Sequence, residues 1–145
     1  MKRMSMILKS ARMARSALLV AAFALALPAL GHAEDAPKGN KDFKATVLQT
    51  VDLGSEIAGM EDHQLRLRLL TIAPGGHIGL HSHKDRPAVV YFLQGTDTVF
   101  SADGKMKTFK PGDSSSANHD TTHWHRNDGK EPVILLNIDI LHKSK

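Results

Sequence analysis

The 145-residue chain contains no cysteine. Disulfide stapling and thiolate chemistry are therefore excluded, whatever the redox state of its surroundings. It also lacks a Gly-x-Ser-x-Gly elbow, a phosphate-cradling glycine loop and a His-Glu-x-x-His segment. These absences remove the usual sequence signatures of serine hydrolases, nucleotide-binding P-loops and zinc-dependent proteases. Ser114-Ser115-Ser116 follows a turn and has no evident base partner, so it reads as a polar entry to a strand. There is no internal repeat, and past residue 33 no apolar stripe of helical period.

Acidic residues are missing altogether from the first 33 positions, which carry Lys2, Arg3, Lys9, Arg12 and Arg15. An apolar run from Ala17 to Leu30 follows, then Gly31-His32-Ala33. A basic leader, a short apolar core and a small-x-small exit describe a secretory signal peptide over residues 1–33, cleaved after Ala33. The run is too short to span a bilayer comfortably. The expected location is periplasmic or secreted, with no membrane attachment after cleavage, and the missing cysteine rules out a lipoprotein anchor. Cleavage also removes five basic residues, leaving 14 Lys and Arg against 15 Asp and Glu, a net charge of −1. The full-length excess of +4 thus belongs to the leader, and nucleic-acid binding loses its electrostatic support.

The remaining 112 residues suffice for one domain with a modest core. Residues 34–42 are polar and contain Pro and Gly, which predicts a flexible N-terminal arm; residues 43–145 form the domain. Leu65-Arg66-Leu67-Arg68-Leu69 alternates with the period of a half-buried strand, and the two arginines are expected on its outer face. Pro74-Gly75-Gly76 is expected to turn the chain into a histidine-bearing strand. Asp103-Gly104 between two β-rich segments predicts a hairpin. About eight short strands at this spacing point to an all-β barrel or sandwich.

Eight of the nine histidines lie past residue 33 and remain to be explained. His81 and His83, two apart on a strand, project to the same side and can approach one ion together. A third imidazole from the distant segment His123-Trp124-His125 would complete a mononuclear site. His123 is the expected third ligand; His125 shares its parity, and so does His119 if no turn intervenes. Asp85 could add an anion, but a turn cap before Pro87 explains it as well. His77 has the parity of His81 if the strand is regular from Gly76. His77 and His125 are therefore the candidates for proton transfer in a catalytic role. His63 and His142 read as solvated. Tyr91 and Phe92 fall on opposite faces, and Trp124 faces away from His123; all three are expected to serve packing.

These residues carry a family resemblance. Gly75-x5-His81-x-His83, continued to Gly95, is similar to the first motif of the cupins, small double-stranded β-helix (jelly-roll-like) barrels. Gly112, His123 and Asn127 fit the start and end of the second motif. The match runs from about Leu65 to Leu141. The resemblance implies one divalent metal inside the barrel and a tendency to form homodimers. Two positions depart from the pattern: Ala88 stands where the family has a glutamate ligand, and Asn118 and Asp120 replace a Pro and a Gly. What remains is a three-histidine set, His81, His83 and His123, resembling the iron site of thiol dioxygenase cupins. Three neutral imidazoles leave an ion such as Fe2+, Mn2+, Ni2+ or Zn2+ its full charge and open positions. The expectation is a secreted metal-binding cupin, either a dioxygenase-like enzyme acting on a small molecule or a non-catalytic binder of metal or small ligand. A purely structural, self-associating barrel is the third reading.

Overall fold

A computed structural model describes residues 35–143. The signal peptide expected over residues 1–33 lies outside the described residues. Eight strands follow in order: β1 (Lys41–Asp52), β2 (His63–Ser82), β3 (Ala88–Gln94), β4 (Asp97–Ser101), β5 (Met106–Phe109), β6 (Ser114–Ala117), β7 (Thr122–Arg126) and β8 (Val133–His142). They hydrogen-bond in the order β5-β4-β7-β2-β8-β3-β6, with β1 paired to β2. Every pairing is antiparallel. No helix occurs among the described residues. The result is an almost closed double-stranded β-helix barrel, and the Asp103-Gly104 hairpin joins β4 to β5 with Gly104 at φ 82°.

Strand β2 organises the molecule. Its first half, from His63 to Ile72, pairs with β8, and its second half, from His77 to Ser82, pairs with β7. The turn expected at Pro74-Gly75-Gly76 is not a reversal: the strand runs through it and exchanges partners. Gly75, at φ 74°, donates its N–H to Asn127 O at 2.9 Å, and Asn127 returns a bond to Gly76 O at 3.0 Å. The buried Asn127 side chain reinforces this corner, donating to Ile72 O and Glu131 O and accepting from Gly129 N, each at 2.9 Å. It is a strand-end tie.

The orientation expected for the arginines is reversed. Arg66 and Arg68 share the inward face of β2 with Leu70 and Ile72, while Leu65, Leu67 and Leu69 lie on the other face. The partner strand β8 does the same: Val133, Leu135, Asn137 and Asp139 are buried, with Ile134, Leu136 and Ile138 opposite. One end of the barrel interior is therefore apolar, built on Ile72, Phe92, Val133 and Leu135 with Phe109 stacked on Phe92 at 4.7 Å. The other end is polar. Burying guanidiniums is tolerable here because Asp139 lies opposite Arg66 in the ladder and Asn137 opposite Arg68.

The segment expected as a free arm engages the barrel. Strand β1 already begins at Lys41, and ahead of it Pro37 O accepts from Leu80 N at 2.7 Å and Asn40 Oδ1 from Gly79 N at 2.9 Å. Gly79 permits this approach, since a Cβ there would sit 2.7 Å from Gly39 O. The arm thus crosses the histidine-bearing end of β2.

Candidate metal centre

The β2–β7 ladder places His81 opposite His123. His83, two residues on, projects to the same side. The three imidazoles converge with Nε2–Nε2 separations of 3.2 Å (His81–His83), 3.1 Å (His83–His123) and 3.1 Å (His81–His123). An ion held ~2.0–2.1 Å from three imidazole nitrogens needs them ~2.9–3.4 Å apart, from octahedral to tetrahedral angles. The observed triangle falls inside that range.

Hydrogen bonding at the far side of each ring sets the tautomer. Nδ1 of His81 donates to Gly79 O at 2.9 Å and Nδ1 of His83 to Arg86 O at 3.0 Å, because a carbonyl can only accept. With the proton fixed on Nδ1, both neutral rings turn a bare Nε2 lone pair toward the common centre. Converging lone pairs repel unless a cation lies between them, so the donor set fits a metal ion. Electrostatics agree. Removal from water pushes His81 down to about 4, against the opposing effect of its bond to Gly79 and with help from His125 and His83. Removal from water, then His125, His81 and His83, pushes His123 down to about 2. His83 is lowered too, mainly by burial. At neutral pH all three are the unprotonated ligands that metal binding requires.

His125 adjoins this group without joining it. Its Nε2 lies 3.4 Å from that of His123, and its Nδ1 donates to the fully buried Asp97 at 2.6 Å. Val99, two residues beyond Asp97, pairs with His125 across the β4–β7 ladder. The cavity position expected for His77 is not met. The ladder slips between Ile78 and His81, so Ile78 faces the cavity and His77 stays off its wall. His119 is exposed and paired with Asp120 at 2.9 Å. Asp85 is exposed at φ 57°, in a turn closed by Arg86 N to His83 O at 2.9 Å. Neither reaches the three imidazoles. Trp124 is buried off the cavity, stacked on Phe100 at 4.0 Å. His63 and His142, read as solvated, meet across the β2–β8 ladder beside Asp62, whose carboxylate lies 2.6 and 2.8 Å from their Nδ1 atoms; His142 is exposed and His63 half-buried.

The histidines open on a cavity of about 660 Å³. Its wall includes Lys38, Arg68, Arg86 and Lys107 and no Asp or Glu among the described residues. Asp139, 1 % exposed, lies behind that wall. Arg66 grips it with two bonds of 3.0 and 2.9 Å, Arg68 with one of 2.9 Å and Arg86 with one of 3.2 Å. Arg68 also donates to Asn137 Oδ1 at 2.8 Å. Burial lowers the Arg68 pKa, and Asp139 only partly offsets that while Arg66 and Arg86 add to it.

Sequence reasoning missed Arg68, Arg86, Asn137 and Asp97. A signal for the first and third was present: Arg66 and Arg68 in one strand match Asn137 and Asp139 in another at the same two-residue spacing. Asp97, after the Gly95 turn, carries no local sign that it meets His125.

Residues 68–139 match the Cupin_2 cupin domain. No curated protein sequence matches the chain. Among solved structures, a protein described as a predicted oxalate decarboxylase from Thermotoga maritima superposes with a TM-score of 0.56 at 18% identity, over 76% of this chain and 96% of that one. A double-stranded β-helix protein from Klebsiella pneumoniae gives 0.56 at 17% identity, over 79% and 96%. The Cupin_2 domain of an XRE family transcriptional regulator from Enterobacter cloacae gives 0.54 at 17%, over 72% and 100%. At these identities the likeness concerns the fold.

Proposed function

Taking the cupin domain at residues 68–139 as premise, we propose that the chain is a periplasmic or secreted protein that binds one divalent transition metal and acts on a small molecule. His81, His83 and His123 would hold the ion. The observation that carries the reading is the triangle of Nε2 atoms with Nδ1 protons of His81 and His83 anchored on backbone carbonyls. A bound divalent ion supplies Lewis acidity and, if redox-active, a seat for dioxygen chemistry. The chain's own contribution is positional. Gly79 O and Arg86 O fix the ring orientations, and apolar groups such as Ile78, Val99 and Leu135 exclude water from part of the cavity. His125 is the proton-transfer group: Asp97 holds its Nδ1 proton, leaving Nε2 beside His123 to take up or release one. His77, off the cavity wall, has no such part.

Metal analysis of the mature protein, purified without a histidine tag, tests the reading against a His81→Ala/His83→Ala variant. About one ion per chain in the parent and almost none in the variant is expected. Equal, negligible metal in both refutes it. Dioxygen uptake with thiols, diketones and phenols then separates enzyme from binder. A non-catalytic binding barrel is the second reading, favoured by the loss of an anionic ligand at Ala88. We also propose a homodimer. Val89, Tyr91, Leu93 and Ile138 are large apolar residues left exposed on β3 and β8, with Val89 opposite Ile138 in the ladder.

A further inference from the structure

The charges around the cavity do not balance. Three guanidiniums, from Arg66, Arg68 and Arg86, share the single carboxylate of Asp139. Of these, Arg68 and Arg86 reach the cavity wall, where Lys38 and Lys107 add two more cations and no acid among the described residues lines it. Arg68 Nε, buried, has no hydrogen-bond partner, so Asp139 and Asn137 do not satisfy every guanidinium donor of the cluster. Such a surplus of planar, forked donors matches carboxylate oxygens. Ser115 on β6, half-buried and opposite Val90 in the ladder, lines the same cavity. Leu70, Ile78, Val90, Val99, Phe109 and Leu135 give the wall a large apolar part. A bare inorganic anion would leave that surface and most of the 660 Å³ uncovered. Among the described residues, neither a helix N-terminus nor a glycine-rich loop lines the cavity to cradle a phosphate.

We propose that the cavity takes a small organic carboxylate, its anionic end paired with Arg68 and Arg86 and its body lying along the apolar wall toward the three imidazoles. This deepens the function proposed above, and it rests on that reading only for what the far end of the ligand meets. Arg86 is the link between the two ends: its backbone carbonyl orients His83 while its side chain faces the cavity.

Calorimetric titration of the metal-free and Zn2+-loaded protein with pyruvate, succinate and benzoate tests the proposal. Benzamide is the neutral isostere of benzoate, and inorganic phosphate is the bare anion. At least one carboxylate should bind the metal-free protein, and benzoate about tenfold or more tighter than benzamide, the scale of a charge-assisted pair. Arg86→Gln should cut carboxylate affinity by a similar factor and leave metal content unchanged. Arg68 bonds both Asn137 and Asp139 whereas Arg86 holds Asp139 by one longer bond of 3.2 Å, so Arg86→Gln disturbs the cluster less and, checked by thermal melting, is the decisive variant. Binding by none of the carboxylates, equal affinity for benzoate and benzamide, no effect of Arg86→Gln, or phosphate binding as tightly as any carboxylate each overturns the proposal. Carboxylate binding by a protein that takes up no metal would sustain it while refuting the metal reading. Metal uptake without carboxylate selectivity would do the reverse.

Discussion

Ala88 stands directly across the β3–β8 ladder from Asp139. The position without a carboxylate thus adjoins a buried one. Asp139 does not act as a replacement ligand, because Arg66, Arg68 and Arg86 occupy both its oxygens. It serves the arginines, and the histidines are left as a neutral donor set.

Removing that charge should be costly. Burial raises the Asp139 pKa, but the Arg66 hydrogen bond and the charges of Arg68 and Arg66 outweigh it and hold the carboxyl below its usual range. Asp139→Asn would leave three guanidiniums without a counter-charge. A loss of about 3–5 kcal/mol is expected, measured by urea unfolding. A loss within ordinary surface-mutation scatter would mean that solvent, not Asp139, satisfies the arginines.

The histidines give the metal-free protein a pH dependence of definite sign. His81 and His123 titrate lower in the folded state, at about 4 and about 2, than the ordinary 6.5. Between 6.5 and about 4 the unfolded chain binds more protons, so stability is full above 6.5 and falls as pH drops. The melting temperature should decline through that window, and less so in a His81→Ala/His123→Ala variant. A flat profile in the parent protein would contradict the assignment of neutral rings.

His125 lies close to His123 yet outside the triangle. His125→Gln should therefore keep about one ion per chain, by metal analysis, while any turnover falls by about 10²-fold or more. His123→Ala should lose the ion. If both variants lose metal equally, His125 is a fourth ligand.

The exposed apolar residues of β3 and β8 predict self-association. Light scattering coupled to size exclusion should give a dimer mass for the parent protein and a monomer mass for Val89→Lys/Tyr91→Lys. Both positions are about half exposed, at 52% and 49%, so the substitutions spare the barrel interior. A monomeric parent protein would sink the dimer.

The barrel class was legible in the sequence because period-two alternation and turn residues mark strands whatever their partners. The grouping of His81, His83 and His123 followed from motif spacing. What stayed hidden depends on register. Leu65 to Ile72 carries apolar residues at both parities, so local pattern cannot tell which face turns inward; the choice is made by Asp139 and Asn137, some seventy residues away in the chain. His77 was misplaced because a ladder irregularity between Ile78 and His81 breaks strict alternation. The segment before Lys41 looked like an arm because its contacts are backbone bonds to β2, which its polar composition does not announce.

The cluster formed by His83 and His123 joins points 40 residues apart in a chain that has no cysteine. An ion held there would act as a removable cross-link, closing a loop that contains β3 to β6. Treated as a disulfide of that span, the closure alone would be worth on the order of 4 kcal/mol through the unfolded state. Metal supply would then govern how long the chain survives proteolysis, independently of any reaction it carries out.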